Sequence, residues 1–174
     1  MVYGASSSIG SMAVQLATAA GVSVIGVASS KNHNFVRSCG AIEAIDYKAP
    51  DFVASVVDAV KQCGDSLVGI FDAIAEKDTY AHDVAMFDKL GGGRLATSHK
   101  PPEGLPENVK ATFMFGIGEH SFPVWEGFVT QALEQGKLKC LPKPVVVGTG
   151  LEGLPGALEK CKAGVSAQKL VVEL

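Results

Sequence analysis

The stretch MVYGASSSIGSMAVQLATAAGVSVIGVASSK, residues 1–31, decides the fold of this chain. It has no charged side chain before Lys31, but its many Gly, Ser, Thr and Gln residues argue against a transmembrane helix of about twenty apolar residues. A signal peptide is not expected either, because no basic residue precedes Val2. Strands that are covered by helices on both faces form continuous apolar runs, so the missing charges indicate buried structure.

The stretch predicts a strand, a tight turn, a helix and a second strand. Residues 2–3 end the first strand, and the small residues 4–10 form the turn. Residues 9–20 follow as a helix with one apolar face, and residues 22–28 as another buried strand.

Strand and helix patterns alternate along the rest of the chain. Further helices are predicted over residues 32–39, 51–62, 77–89, 123–135 and 154–162, and further strands over residues 44–46, 67–74, 93–97, 112–115, 145–147 and 170–174. This alternation predicts an α/β domain, residues 1–174, with a doubly wound and mostly parallel sheet of the Rossmann type. The long loop at residues 100–110 is expected to border a site.

Composition excludes several function classes. The chain has 174 residues and a net charge of −3, without a long run of like charge, so neither a nucleic-acid nor a membrane partner is expected. Its four cysteines and four histidines lack the spacing of zinc ligands. We expect a cytoplasmic protein without a structural metal or disulfides.

The glycine-containing turn is placed where dinucleotide-binding proteins hold a pyrophosphate. Backbone N–H groups and the helix dipole favour an anion at such a helix start. The usual pattern is GxGxxG, whereas residues 5–10 read ASSSIG, so Gly10 remains and Gly4 lies one place early. A serine turn that merely caps the helix is the alternative. The strand–turn–helix–strand order favours a dinucleotide.

The end of the second strand indicates which dinucleotide. NAD sites place an acidic residue about twenty residues after the turn, to bind the ribose hydroxyls. Here residues 28–32 read ASSKN, and no acid occurs until Glu43. Hydroxyl groups and an ammonium would bind a 2′-phosphate, so the pattern favours NADP(H). A solvated Lys31 at a helix start is the alternative.

Short-chain dehydrogenases have a similar turn, because GASSSIG resembles their TGASSGIG. That family needs a catalytic Tyr with a Lys four residues later. The tyrosines here are followed at that spacing by Ser7, Asp51 and Val84, so the pair is missing and this interpretation is disfavoured.

A closer resemblance is carried by VYGASSSIGSMAVQLA, ASSKNHNFVRSCGAIEAIDYKAPD, GIFDAI with GGGRLATS, and GVSAQKLVVEL. In these stretches the chain resembles the coenzyme-binding half of medium-chain dehydrogenases/reductases, a superfamily that includes zinc-binding dehydrogenases and quinone reductases. Within it, the chain is most similar to the zinc-independent fungal enoyl reductases that act in trans with polyketide synthases.

The resemblance implies a set of cofactor contacts. The pyrophosphate would be held by Ser6, Ser7, Ser8 and Ile9, and the 2′-phosphate would be surrounded by Ser29, Ser30, Lys31 and Asn32. Tyr47 would lie against the adenosine, and Thr97 and Ser98 near the nicotinamide side. Val165 and Ser166, just before the last strand, would complete the cofactor contacts. No catalytic residue can be named. Ordinary packing is the alternative for Tyr47 and Thr97.

In these families a GroES-like catalytic barrel precedes the Rossmann strands, and this sequence begins almost on the first of them. We therefore expect an NADP(H)-binding domain of a reductase of activated C=C or C=O bonds, with little turnover by itself. Residues 165–174 would return to the barrel and leave a surface prone to self-association. Expected partners are a small-molecule substrate and a polyketide synthase. A non-catalytic Rossmann interaction module is the alternative function.

Overall fold

Strands and helices alternate along the chain in the structure, a computed structural model that describes residues 1–64 and 67–174. The strands are β1 Val2–Tyr3, β2 Ile25–Val27, β3 Glu43–Ile45, β4 Ile70–Asp72, β5 Gly93–Thr97, β6 Val109–Phe113, β7 Pro144–Thr149 and β8 Lys169–Glu173. The α-helices are α1 Ser8–Ala19, α2 His33–Ser38, α3 Phe52–Gln62, α4 Lys77–Leu90, α5 Phe122–Val124, α6 Thr130–Glu134 and α7 Leu154–Lys162. None of the described helices is both long and apolar enough to cross a membrane.

The main sheet has six strands in the order β3-β2-β1-β4-β5-β6, and every neighbouring pair is parallel. Its centre is β1, where Val2 is paired with Gly26 of β2 on one side and with Phe71 of β4 on the other. The winding of the sheet reverses between β1 and β4, as in doubly wound folds. This confirms the predicted fold class.

Helices cover both faces of this sheet because successive side chains of a strand point to opposite faces. Tyr3 packs in one core with Phe52 of α3 and Phe87 of α4. Its neighbour Val2 packs in the other core with Val14 of α1. Strands buried in this way have no polar face, which explains the uncharged sequence around them.

Helix α1 lies unusually close to the end of β1. A Cβ atom at Gly10 would be 2.2 Å from the carbonyl oxygen of Gly4, a backbone atom that cannot rotate away. Gly4 itself has φ +68°, in the left-handed region that favours glycine. Ser7 caps the helix, since its Oγ accepts from the N–H of Gly10 at 3.0 Å. The two glycines therefore fix the turn between strand and helix.

Strand β2 is shorter than the prediction of residues 22–28. Helix α1 ends at Ala19, and Gly21 then reverses the chain with φ +81°. The N–H of Val22 donates to the carbonyl of Ala17, which ties residue 22 to the helix end. The apolar residues 22–28 therefore belong partly to the end of the helix and partly to the strand. The hydrophobic pattern alone could not locate the boundary between the two.

Strand β6 begins at Val109, inside the loop predicted over residues 100–110. Val109 is paired with Gly93 and Phe113 with Thr97, so β6 extends along the whole of β5. Pairing with β5 therefore starts β6 before residue 112, where the predicted strand began.

The helix predicted over residues 123–135 is present but is interrupted by a π-helical turn at Trp125–Val129.

The last strand is paired within this chain. Strand β8 runs parallel to β7 in a separate two-stranded sheet, with a register shift between Val146 and Gly148. Its central residues are half-buried, whereas Leu174 is 94% exposed. The return of residues 165–174 to another domain stays a prediction.

We predict that Gly10→Ala lowers the free energy of unfolding by about 2 kcal/mol, because the new methyl group forces α1 away from β1. Urea denaturation monitored by circular dichroism measures the loss. Gly156→Ala in α7 is the control, since no atom lies within 4 Å of the added Cβ. That variant should be neutral or slightly more stable. Equal stability of the two variants would contradict the close contact.

Candidate functional site

A cleft of about 650 Å³ opens at the edge of the main sheet where β1, β2, β3 and β4 end. In open parallel sheets, ligands bind outside the carboxyl ends of the strands, where the winding reverses. The sequence-predicted residues that line it are Ser6, Ser7, Ser29, Lys31, Asn32, Tyr47, Val165 and Ser166. Those that lie outside its lining are Ser8, Ile9, Ser30, Thr97 and Ser98. The structure thus brings together residues from opposite ends of the sequence.

The serine turn offers backbone donors at the start of α1. Ser7 Oγ is occupied as the helix cap, as the alternative interpretation of the turn proposed. The N–H groups of Ser8 and Ile9 have no acceptor in the described part of the chain. First-turn N–H groups of this kind bind an anion readily. Residues 8 and 9 can therefore contribute backbone atoms, although the Ile9 side chain points to solvent and is 52% exposed.

Asn32 lies at the meeting point of three segments that border the cleft. Its Nδ2 donates to the hydroxyl oxygens of Ser6 at 3.2 Å, Ser29 at 3.2 Å and Ser166 at 2.9 Å. The side chain of Asn32 is buried, and its backbone N–H donates to the carbonyl of Ser29. The amide nitrogen is therefore engaged by the protein's own hydroxyls, and the contact of Asn32 with the 2′-phosphate stays a prediction.

In the segment after β2, some side chains line the cleft and another lies near the end of the neighbouring strand β3. Ser29 and Lys31 line the cleft, whereas Ser30 faces Asp46 after β3. The pKa of the Asp46 carboxyl is lowered, first by the backbone N–H of Lys48 at 3.0 Å and to a smaller extent by Ser30. Asp46 lies outside the cleft lining, so the cleft side of this segment has a cation and a hydroxyl but no carboxylate.

Aromatic rings form one wall of the cleft. Tyr3 is 6.5 Å from Tyr47 between ring centroids and 6.1 Å from His82, to whose ring it is nearly parallel. The hydroxyl of Tyr3 and Nδ1 of His82 are hydrogen-bonded at 3.1 Å. Lys48 lies with its Nζ 5.8 Å from the Tyr47 ring. Such a wall can take a flat base.

Sequence reasoning missed Lys48, Glu76, Asp78, Thr79 and His82, all of which line the cleft. Thr79 Oγ1 donates to the buried Asp72 carboxylate at the end of β4. Because the carboxyl ends of parallel strands share one edge, the residues after β3 and β4 could have been assigned to the site by their position alone.

Thr97 and Ser98 lie at the end of β5. The side chain of Thr97 is fully buried, and its hydroxyl donates to the carbonyl of His99 at 2.6 Å. The N–H of Ser98 donates to the carbonyl of Asp72. Thr97 therefore has a packing role here, and its predicted contact with the nicotinamide side stays a prediction.

Helix α4 carries a fully buried carboxyl group, Asp83, near Asp72 at the end of β4. Neither oxygen of Asp83 has a hydrogen-bond partner among the described residues. Burial, followed by the nearby Asp72, raises the pKa of Asp83 to about 9, and the amino group of Met1 opposes this rise. Burial also raises the pKa of Tyr3, with Asp83 and Asp72 as smaller causes. Asp83 is thus protonated at neutral pH.

The strand order and the position of the cleft define a Rossmann-type domain with a nucleotide-sized site at its switch point. A family model described as zinc-binding dehydrogenase matches residues 8–116. The chain belongs to this family of dehydrogenases. The resemblance drawn from the sequence is confirmed.

Curated relatives extend the match to the whole chain. The sequence is 52% identical over 174 residues to Dehydrogenase orsE of Emericella nidulans, and covers 50% of that protein. It is 38% identical over 180 residues to Trans-enoyl reductase himH of Aspergillus japonicus, of which it covers 52%. The chain therefore spans about half the length of the curated relatives it matches.

Solved structures support the fold. CurA from Vibrio vulnificus, determined in complex with NADPH, matches with a TM-score of 0.69 and 24% identity over 99% of this chain and 55% of that one. CurK enoyl reductase matches with a TM-score of 0.71 and 19% identity over 99% of this chain and 53% of that one. At these identities the likeness concerns the fold.

The name of the family implies zinc, and the side chains that the structure describes do not fit it. In residues 1–64 and 67–174, no group of three or more His, Cys, Asp or Glu side chains lies close enough to hold a metal ion. The cysteines are free, and Cys39 is buried while Cys140 and Cys161 are exposed. No step of the proposed chemistry uses a metal.

Asp83→Asn should change how stability depends on pH. The Asp83 carboxyl has a reference pKa of 3.8 and a folded pKa of about 9. Between these values the unfolded chain binds fewer protons, so rising pH lowers the free energy of unfolding. We predict that the stability of Asp83→Asn relative to the wild type increases by about 1.4 kcal/mol for each pH unit over that window.

Urea denaturation at a series of pH values measures this difference. Asp88→Asn, an exposed position on the same helix, is the control and should give a profile parallel to that of the wild type. Subtraction of the wild-type curve removes the titration of the Met1 amino group, whose pKa burial lowers to about 6. A parallel profile for Asp83→Asn would mean that Asp83 ionises normally in the folded chain.

Proposed function

We propose that this chain is the NADP(H)-binding part of a reductase that transfers hydride to an activated C=C bond. The observation that carries the proposal is the convergence of serine hydroxyls and two lysines on one cleft at the edge where the winding reverses, next to the start of α1, whose first N–H groups have no acceptor among the described residues. Family membership and the relatives named trans-enoyl reductases support a reductase of this class. An activated C=O bond is the alternative acceptor of the hydride.

The start of α1 would hold the pyrophosphate. The unpaired N–H groups of Ser8 and Ile9 point out of the helix, and the dipole of this 12-residue helix favours an anion there. Gly10 supports the proposal, because a side chain at this position would collide with Gly4 and displace the turn. The hydroxyls of Ser6 and Ser7 border the same space.

The segment after β2 would bind the phosphate on the adenosine ribose. Ser29 and Lys31 line this part of the cleft, and Lys48 adds a second ammonium group from the segment after β3. A phosphate dianion is stabilised by charge-assisted hydrogen bonds from such groups, whereas NADH lacks that phosphate. Tyr47, 41% exposed, would pack against the adenine ring.

When bound, NADPH supplies the hydride from C4 of its nicotinamide. The residues of this chain bind and orient the nucleotide: the turn fixes the pyrophosphate, and Val165 and Ser166 close the cleft from the segment before β8. No residue of this chain is assigned as a proton donor. We propose that the substrate is a small molecule, presented by a polyketide synthase, and that groups acting on it lie outside this chain.

Lys31→Ala should weaken NADPH binding by about tenfold and leave NADH binding unchanged, because one charge-assisted hydrogen bond to the 2′-phosphate is lost. Titration with each nucleotide, followed by its fluorescence, gives both dissociation constants. The wild type should bind NADPH more tightly than NADH, and the preference should fall as salt rises.

Lys61→Ala, an exposed position at the end of α3 and outside the cleft, is the matched control and should leave both constants unaltered. Equal wild-type affinity for NADPH and NADH would overturn the assignment of the 2′-phosphate site. No response to either nucleotide would overturn the nucleotide-binding function and favour the non-catalytic interaction module.

A further inference from the structure

The side-chain amide of Asn32 joins three parts of the chain that are far apart in sequence. Its Nδ2 donates to Ser6 in the turn after β1, to Ser29 after β2 and to Ser166 before β8. The separation between Asn32 and Ser166 is 134 residues. Asn32 is only 8% exposed, so this amide is largely withdrawn from water.

The direction of these hydrogen bonds determines what the three hydroxyl groups can do. An amide nitrogen only donates, so the three serine oxygens share its two hydrogens as acceptors towards Asn32. The hydroxyl hydrogens are then left to point elsewhere, and a hydroxyl that already accepts is a stronger donor. All three serines line the cleft. Their hydrogens can therefore be directed at an anion within it.

The loop before β8 has few other attachments. Val165 and Ser166 are exposed, and Gly164 and Ala167 have φ of +103° and +51°. The left-handed backbone at Ala167 is unfavourable for a residue with a Cβ, so a contact outside the loop is needed to maintain it. The 2.9 Å hydrogen bond from Asn32 to Ser166 provides such a contact.

We propose that Asn32 is a positioning residue: it orients the hydroxyls of Ser6, Ser29 and Ser166 as donors to a phosphate group, and it holds residues 164–167 against the cleft. The first part rests on the proposed function, because it assumes a phosphate ligand. The hold on the loop does not depend on any ligand. Asn32 thus acts on the nucleotide through the serines.

Two substitutions of Asn32 separate these parts. Asn32→Ala removes the donor, so the loop loses its attachment and the hydroxyls lose their orientation. Asn32→Asp replaces the donor by an acceptor. The serines then donate to the new carboxylate, which keeps the loop in place but turns the hydroxyl hydrogens away from the cleft.

Hydrogen–deuterium exchange without nucleotide tests the hold on the loop. The amides of Gly164 and Lys169 donate to the carbonyls of Cys161 and Lys143 at the two ends of the loop. They should exchange about tenfold faster in Asn32→Ala than in the wild type, since a hydrogen bond contributes about 1.4 kcal/mol. Asn32→Asp should retain wild-type protection. Ser166→Ala, an exposed position whose substitution leaves the core intact, should reproduce the loss. Ser38→Ala, whose hydroxyl bonds only within its own helix end, is its control.

NADPH titration tests the orientation of the hydroxyls. Asn32→Ala should weaken binding by about tenfold, and Asn32→Asp by about a further tenfold because its serines no longer donate to the phosphate. The new charge alone also repels a phosphate, so Asn34→Asp is the matched control. This exposed position in α2 adds the same charge nearby without reversing a hydrogen bond, and should cost about twofold.

Each part can be overturned separately. Unchanged loop exchange in both Asn32→Ala and Ser166→Ala would overturn the hold on the loop. Equal losses for Asn32→Asp and Asn34→Asp would overturn the orientation of the hydroxyls. If the wild type binds neither NADPH nor NADH, the phosphate part falls together with the proposed function, whereas faster loop exchange in Asn32→Ala would still establish the positioning of residues 164–167.

Discussion

The contact between Gly10 of α1 and the carbonyl of Gly4 is the constraint on which the site depends. It brings the first turn of α1 against the end of β1, with no room for a Cβ atom. Because β1 lies at the centre of the sheet, between β2 and β4, the helix start is held at the middle of the edge where the winding reverses. The unpaired N–H groups of Ser8 and Ile9 are therefore fixed in direction by backbone packing rather than by side chains.

The polar groups of the cleft are arranged around this fixed point by hydrogen bonds between distant segments. Asp72 accepts from the N–H groups of Ile74 and Ala75, which shapes the turn from β4 into α4. On the other side of the cleft, the amide of Asn32 donates to Ser6 and Ser29, which joins the segments after β1 and β2. Both side chains are buried and use the protein's own groups as partners, so they maintain the shape of the cleft and leave its surface to hydroxyls, lysines and aromatic rings.

The fold could be predicted from the sequence because strand patterns and helix patterns of apolar residues alternate along most of the chain. Apolar runs bounded by turn residues gave the parallel strands, and β5 was predicted with its observed limits. Predicted boundaries failed where one apolar run serves two elements, as around Val22, and where pairing with a neighbour extends a strand, as at Val109. The strand predicted over residues 67–74 was also too long, since β4 spans Ile70–Asp72.

The site was predicted less completely, for a physical reason. Residues next to a recognisable turn or strand end, such as Ser7 and Lys31, could be identified from local sequence, and both line the cleft. His82 could not, because it comes from the second turn of α4 and its position depends on packing against Tyr3 and Phe52. The engagement of Asn32 by Ser166 was also inaccessible, since 134 residues separate the two and no spacing rule connects them.

The distribution of charge along the cleft bears on how a nucleotide of the proposed kind would lie in it. Lys31 and Lys48 line the part near β2 and β3, whereas Glu76 and Asp78 line the part near β4 and α4. A molecule with an extra phosphate at one end is attracted to the first part and repelled by the second. In the proposed complex, the cations that bind the 2′-phosphate would thus also select one orientation of the dinucleotide, with its nicotinamide end directed away from the lysines.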